Sequence, residues 1–366
     1  MMTTLELAPR DLLFLRDGRP MDVDPREGSY RNVGHGASWP RPDHLYNALM
    51  HAVIGRKAGE KEYGRHGDLR TAGPFPMKAG EVYFPRPLDW KMTPVALGET
   101  DLSETAPYLE YGFQDCDQTK KAYPAWITHQ EYVAYLDGKC GDFTEGDRRE
   151  LYVTERRSGN TLDDARNASA KSSGNVGARY TAEYLRLASG VTMWAAACMG
   201  RDDLAIPDKL IMGGQGGVVN VLTTNPKTLS ELFPIPKATE DGKVFVRWTL
   251  LTPAYYPETG WLPSFCVDTR KDAAEKAAIG TVMLKDAVGS RLVGACTGKP
   301  IVFSGYDTVE GIKPTVLAVP AGSAYLFECA DATAANALID KLHLVSRSQN
   351  NNAGFGIGVC SLVAVK

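Results

Sequence analysis

Ala324-Tyr325-Leu326-Phe327, then Ala334, Ala335, Leu338 and Leu342, then Ala353-Gly354-Phe355-Gly356-Ile357-Gly358 and the run Val359 to Val365, follow one another near the end of the chain and carry its clearest structural pattern. The first four residues are a short apolar run suited to a buried strand, and the next four recur at the spacing of one helical face. Three alternating glycines open a loop, and the closing run is again strand-like. Strand, helix, glycine loop and strand in that order match the last part of a βαββαβ ferredoxin-like unit.

Upstream, Val244–Leu251 reads as a strand, as do Leu151–Thr154 and Leu185–Leu187, and Val191, Met193 and Ala195 alternate beyond the Gly190 turn. Val82-Tyr83-Phe84 before Pro85 is a further strand, and Leu5, Leu7, Leu12 and Phe14 alternate around Pro9 as a strand broken at the proline. Leu45, Leu49, Ala52 and Val53 follow Pro40 and Pro42 at helical spacing. Thr128 and Glu131, ahead of Val133 and Leu136, form the sequence signature of a capping box. From Arg156 to Gly177 the composition is polar and rich in glycine, serine and alanine, which predicts a long mobile loop carrying local positive charge.

The 366 residues suffice for two domains, or for one with insertions. Lys and Arg number 41 against 44 Asp and Glu, a net charge of −3 that excludes a histone-like field and leaves room for a local basic groove. No window approaches the roughly 20 apolar residues of a membrane span, and the opening residues lack a signal-peptide core, so the expectation is a cytoplasmic protein without membrane contact. Seven cysteines with no C-x-x-C pair predict reduced packing residues, without a disulfide framework or zinc knuckle.

Three glycine clusters carry the chemistry. Gly34-His35-Gly36, beside Trp39 and Arg41, leaves an imidazole accessible for acid–base work or for ligand contact, and with no partner legible in the sequence the contact reading is preferred. Gly213-Gly214-Gln215-Gly216-Gly217 lacks the Lys-Ser/Thr ending of a Walker loop, so it reads as a tight turn able to offer backbone N–H groups to a phosphodiester. Gly354-Phe355-Gly356-Ile357-Gly358 precedes a strand rather than a helix, which removes the dinucleotide reading. With Arg347, Ser348, Gln349 and Asn350 to Asn352 upstream it offers donors, a cation and close backbone approach to a nucleic-acid backbone. The carboxylate pairs Asp22/Asp24, Asp115/Asp117, Asp163/Asp164 and Asp202/Asp203 sit in polar loops away from histidine and do not make a two-metal nuclease. No G-x-S-x-G nucleophile is present.

Several motifs together resemble the RAMP proteins of CRISPR effector complexes, most closely the third RAMP subunit of the type III-B (Cmr) module. They are Pro9-Arg10-Asp11 with Phe14 to Met21, Ser38-Trp39-Pro40-Arg41-Pro42, and Glu155-Arg156-Arg157-Ser158-Gly159 with Tyr180. Gly213-Gly214-Gln215-Gly216, Thr252-Pro253-Ala254 with Gly260-Trp261, Val319 to Ser323, and Gly354-Phe355-Gly356 complete the set in family order. The family pattern has an acidic and then a basic residue where Gln215 and Gly217 stand, which leaves a backbone rather than a side-chain phosphate contact there.

The resemblance implies an α+β chain of two packed ferredoxin-like RAMP domains, residues 1–210 with an insertion near 91–147, and residues 211–366 with the glycine-rich loop. It implies a non-catalytic subunit that needs no cofactor or metal and holds the 5′ tag of a crRNA beside the large polymerase-like subunit and the backbone RAMP subunit of the Cmr complex. The 91–147 segment is read as an insertion contacting a neighbouring subunit. Candidate RNA contacts are Arg16, Arg19, His35, Arg41, Arg156, Arg157, Lys171, Arg179, Gly214, Gln215, Arg347, Gly354, Phe355 and Gly356. Two alternatives stay open: a metal-independent CRISPR RNA-processing endonuclease using His35, and the equivalent structural subunit of a type III-A complex.

Overall fold

In a computed structural model, the described residues are 2–18, 33–53, 68–97, 109–115, 123–143, 149–160, 179–200, 205–222, 225–239, 242–267, 281–282, 289–304, 306–307, 311–312 and 314–365. They form a mixed α/β chain, mostly sheet with few helices. It divides into two units: Met1–Ala79, Glu150–Pro226 and Val302–Val316 make the first, and Gly80–Arg149, Lys227–Ile301 and Leu317–Lys366 the second. Both are assembled from non-consecutive segments. Position 210, where the sequence reading divided the chain, lies inside the Lys209–Ile211 strand of the first unit.

The first unit is built on antiparallel strands in the order Lys209–Ile211, Val218–Leu222, Thr3–Pro9, Val191–Met199 and Leu69–Lys78. Numbering the last four along the chain, with Thr3–Pro9 first, their spatial order is 4-1-3-2. Because strand side chains alternate, Leu5 and Leu7 share a face with Met193, Ala195 and Ala197, their register partners and neighbours. The helix Pro42–Val53 lays Leu45, Ala48 and Leu49 onto the same core. Proline at its first position costs no hydrogen bond, since that N–H has no intrahelical acceptor. A second, smaller sheet pairs Val33–Gly34 with Arg179–Leu187, and Arg179–Leu187 with Tyr152–Asn160 over nine residue pairs.

That ladder corrects the loop expected from Arg156 onward. Arg156 and Arg157 are strand residues opposite Glu183 and Ala182. The sequence hid this because most of Val153 to Ser158 is exposed, so no apolar alternation marks the strand, while backbone pairing needs none. Residues 161–177 of the expected loop lie outside the described residues.

The second unit centres on Ser290–Cys296, Ala324–Cys329, Val244–Leu250 and Gly358–Leu362, adjacent in that order and antiparallel. Numbered along the chain from Val244–Leu250, this too is 4-1-3-2 read from the other edge. All of Ala324–Cys329 is buried, as a central strand should be. Helix Ala332–Leu342 buries Ala334, Ala335, Leu338, Ile339 and Leu342 against it, the face read from the sequence plus Ile339.

The 91–147 segment belongs to this unit. It supplies the strands Met92–Ala96, Tyr111–Asp115 and Trp126–Thr128, and the helix His129–Leu136 that the Thr128–Glu131 capping box opens. Tyr132 and Tyr135 of that helix are buried. The Tyr135 hydroxyl donates to Asp89 Oδ1 at 2.6 Å, and Asp89 Oδ2 accepts from Arg247 Nη1 at 3.3 Å. Arg247 also donates to the Tyr135 carbonyl at 2.9 Å and lies 3.9 Å from the centre of its ring. A buried ion pair is tolerated only when its remaining groups are bonded, and Tyr135 performs that service from within the segment read as an insertion.

Candidate nucleic-acid interface

The site is organised by the extended backbone Leu13–Asp17 of the first unit. Alternation buries Leu13 and Leu15 in the core and leaves Phe14 and Arg16 facing outward. The same segment exchanges backbone bonds with three others. Leu13 and Leu185 pair through both N–H groups at 3.0 and 2.8 Å, Gly214 N–H donates to Phe14 O at 2.8 Å, and Ala37 N–H donates to Leu15 O at 2.6 Å. Asp17 N–H donates to His35 O at 3.1 Å. Arg16, His35, Gly214 and Gln215, distant in sequence, are thereby brought together, and Arg156 joins them through Glu183.

Glu183 is the hub. It is 7 % exposed, and one carboxylate oxygen accepts from Arg156 Nε and Nη2 at 3.1 and 2.8 Å while the other lies 3.2 Å from His35 Nδ1. Burial alone would push this carboxyl up, yet the hydrogen bonds from Arg156, His35 and the Gly36 N–H outweigh it and hold the group below the usual range. The Arg156 side chain remains 70 % exposed, so its outer face is open to an anion. Arg16 is exposed, and its side chain makes no ion pair among the described residues.

The glycines divide by what they serve. A Cβ on Gly36 would stand 2.1 Å from Glu183 O, one on Gly213 2.5 Å from Phe14 O, and one on Gly217 2.6 Å from Met212 O. Those three are glycine because protein backbone runs against them. Gly216 has open space around it and a φ of +68°. The Gln215 and Gly216 backbone N–H groups make no hydrogen bond among the described residues.

The other predicted contacts fare differently. Arg41 is engaged with both oxygens of Asp43 at 3.0 and 2.9 Å, donates to Arg16 O at 3.3 Å and covers the Phe303 ring at 4.9 Å. Arg157 donates to Glu155 at 2.8 Å, and Glu155 also takes Arg186 Nε at 2.6 Å. Arg19 and Lys171 lie outside the described residues; Arg179 is described as strand backbone only.

Arg347, Gly354, Phe355 and Gly356 belong to the second unit. Phe355 is 4 % exposed, and its loop is tied down by Gly356 N–H to Pro253 O at 2.8 Å, Arg347 N–H to Gly356 O at 2.9 Å and Thr252 Oγ1 to Gly354 O at 2.8 Å. The loop expected to display glycines and a phenylalanine to RNA is packed inside its own unit. Arg347 Nε donates to Lys341 O at 2.7 Å and closes the same turn.

Sequence reasoning missed Glu183 as the residue that joins His35 to Arg156. The readable signal was an acidic residue two positions ahead of the strand-like Leu185–Leu187. Among the described residues no group of three or more His, Cys, Asp or Glu is placed to hold a metal ion, and no helix is long and apolar enough to cross a membrane.

Fold and site define a sheet-rich mixed α/β chain whose first unit gathers arginines, a histidine and exposed glycine-loop backbone around one extended segment. The chain belongs to the family CRISPR-associated protein (Cas_Cmr3), whose model matches residues 5–363, so the resemblance to the third RAMP subunit of the Cmr module holds. It is similar at 14% identity to a chain in the cryo-EM structure of the type III-B Cmr-beta bound to cognate target RNA, with a TM-score of 0.47 over 88% of this chain and 86% of that one. It is also similar at 13% identity to a chain in the crystal structure of the Csm3-Csm4 subcomplex of the type III-A CRISPR-Cas interference complex, with a TM-score of 0.41 over 88% and 92%. No curated protein matches the sequence.

Proposed function

We propose that the chain is the non-catalytic crRNA-binding subunit of a cytoplasmic type III-B effector complex, holding the 5′ tag beside the large polymerase-like subunit and the backbone RAMP subunit. Family membership supports the complex. The observation that carries the RNA contact is the convergence on Leu13–Asp17 of Arg16, the Arg156–Glu183–His35 cluster and the exposed Gln215–Gly216 backbone. Phosphates are held by arginine, backbone N–H groups and small polar donors in combination, and a chain with a net charge of −3 must supply them locally. The 4-1-3-2 strand order in both units supports two ferredoxin-like RAMP folds, the first retaining the helix after its first strand and the second the helix before its last.

Binding of single-stranded RNA from the CRISPR repeat, measured over a range of salt, tests the reading. Arg16→Ala and Arg156→Ala should each lower the slope of log K against log salt by about 0.7, the contribution of one phosphate contact on a single strand. Unchanged slopes in both variants would remove the first unit from the RNA path. The His35–Glu183 contact favours a second reading, the metal-independent endonuclease, because a carboxylate that orients an imidazole is a common acid–base arrangement. Glu183 is already engaged by the Arg156 guanidinium through two hydrogen bonds, which supports holding over cutting. Specific cleavage of the same RNA that disappears in His35→Ala would reverse the order of the two readings.

A further inference from the structure

Tyr184 follows Glu183 on the Arg179–Leu187 strand and so faces the opposite side of the ribbon. Its ring packs against Phe14 with centroids 5.4 Å apart and planes inclined by 49°. Its hydroxyl donates to Gln215 Oε1. Phe14 is itself wedged: a Cβ on Gly214 would meet its ring at 3.0 Å, and one on Gly34 at 3.4 Å. The aromatic pair is therefore fixed from below by two glycine backbones while Tyr184 stays half-exposed.

Gln215 is the anomaly of the loop. It is exposed and has a φ of +59°, in a run where Gly213, Gly214, Gly216 and Gly217 could adopt that angle without strain. Strain held at a side chain that could have been glycine points to a use for the side chain. Its amide oxygen accepts from Tyr184, which leaves the two donors of the amide nitrogen on an exposed side chain, and Gln215 makes no other hydrogen bond among the described residues.

From this geometry we propose that Tyr184 and Gln215 read one unpaired nucleobase of the bound strand: the tyrosine ring stacks on it, and the glutamine amide selects a base carrying a carbonyl acceptor on its pairing edge. Uracil, guanine and cytosine offer such an oxygen; adenine does not. Aromatic stacking with hydrogen bonds to the base edge is how single-stranded RNA is read in sequence-specific fashion. The inference rests on the RNA-binding reading above and adds base selectivity to it.

The test uses the full chain and single-stranded RNAs from the CRISPR repeat of its source genome, each with one position made abasic or changed to adenine. Wild type should lose about tenfold in affinity, equivalent to about 1.4 kcal/mol, when one particular carbonyl-bearing base is made abasic. Tyr184→Ala should show no such loss at that position. Tyr184→Phe and Gln215→Gly, which keep the ring and relieve the backbone angle respectively, should retain the stacking gain and lose the preference over adenine. RNA binding with an Arg156-dependent salt slope, but with identical position profiles in wild type and all three variants, would overturn this proposal and leave the RNA reading standing. Failure of wild type to bind any of the RNAs would overturn both.

Discussion

Gly356 shows how one residue type can serve two incompatible purposes that look alike in a sequence. Alternating glycines before a strand fit both close approach of RNA and a turn that no side chain can enter. Here φ is +70°, and a Cβ would stand 2.7 Å from Ser348 Cβ and 3.0 Å from the Arg347 carbonyl carbon. A left-handed angle costs an L-residue about 1–2 kcal/mol, and overpacking adds about 1–3 kcal/mol. Gly356→Val should therefore destabilise the isolated chain by about 2–5 kcal/mol on those combined terms, read as a sharply lower urea midpoint. Any loss of RNA affinity should track the unfolded fraction. A variant with unchanged denaturation midpoint but weakened RNA binding would return the loop to the RNA. Gly216 is the contrasting case, with open space around it and only its φ of +68° to satisfy.

At the scale of elements, the helix Ala332–Leu342 rests on a single side-chain cap: Asp331 accepts the Ala334 N–H at 2.8 Å. Asp331→Ala should cost about 1 kcal/mol, read as a lower urea midpoint with an unchanged slope, and Asp331→Asn should recover most of it because asparagine caps as well as aspartate does. No difference between the Ala and Asn variants would show that packing of Leu338, Ile339 and Leu342 alone sets the helix start. This helix was legible because one face is apolar and the other is not. The same holds for Pro42–Val53 and for the capping box at Thr128. The Tyr152–Asn160 strand was legible only at its start, read as Leu151–Thr154, for the converse reason: most of Val153 to Ser158 is exposed, so no apolar period carries the strand onward and its arginines read as loop. The candidate site was legible in its parts, since Arg16, His35, Gly214 and Gln215 all stand out by type. Their meeting was not, because it depends on Leu13–Asp17 bonding to segments 18 to 200 positions away. Glu183, the residue that joins His35 to Arg156, gave only the weak signal of an acidic residue just ahead of a short strand-like run.

For the molecule as a whole, each unit holds a neutral histidine that folding protects from protonation. In the first, burial depresses the His44 pKa to about 4, and its Nδ1 accepts the Arg41 N–H at 3.1 Å. In the second, burial also lowers His343, whose Nε2 donates to Phe233 O at 2.9 Å while Nδ1 accepts the Cys360 N–H at 3.1 Å. A proton on either Nδ1 would abolish an accepted bond. The unfolded chain titrates both near 6.5, so below that pH it binds protons that the folded chain refuses. Stability contributed by the neutral rings is fully present above pH 6.5 and is lost as pH falls toward the folded value, about 4 for His44. The carboxylates act in the same direction at lower pH. Glu183 and Glu131, held below their ordinary range against the pull of burial, lose their contribution as pH falls through their folded values. Urea midpoints measured between pH 6.5 and about 4 should therefore fall steadily, with His44 accounting for at most about 3 kcal/mol of the drop at 1.36 kcal/mol per unit. His44→Gln keeps an acceptor oxygen for the Arg41 N–H but cannot titrate, so its curve should be shallower across that window and rejoin the wild-type slope where only carboxylates remain. Parallel curves for the two proteins would mean that His44 takes up its proton as readily folded as unfolded, and that the helix Pro42–Val53 begins on a solvated ring.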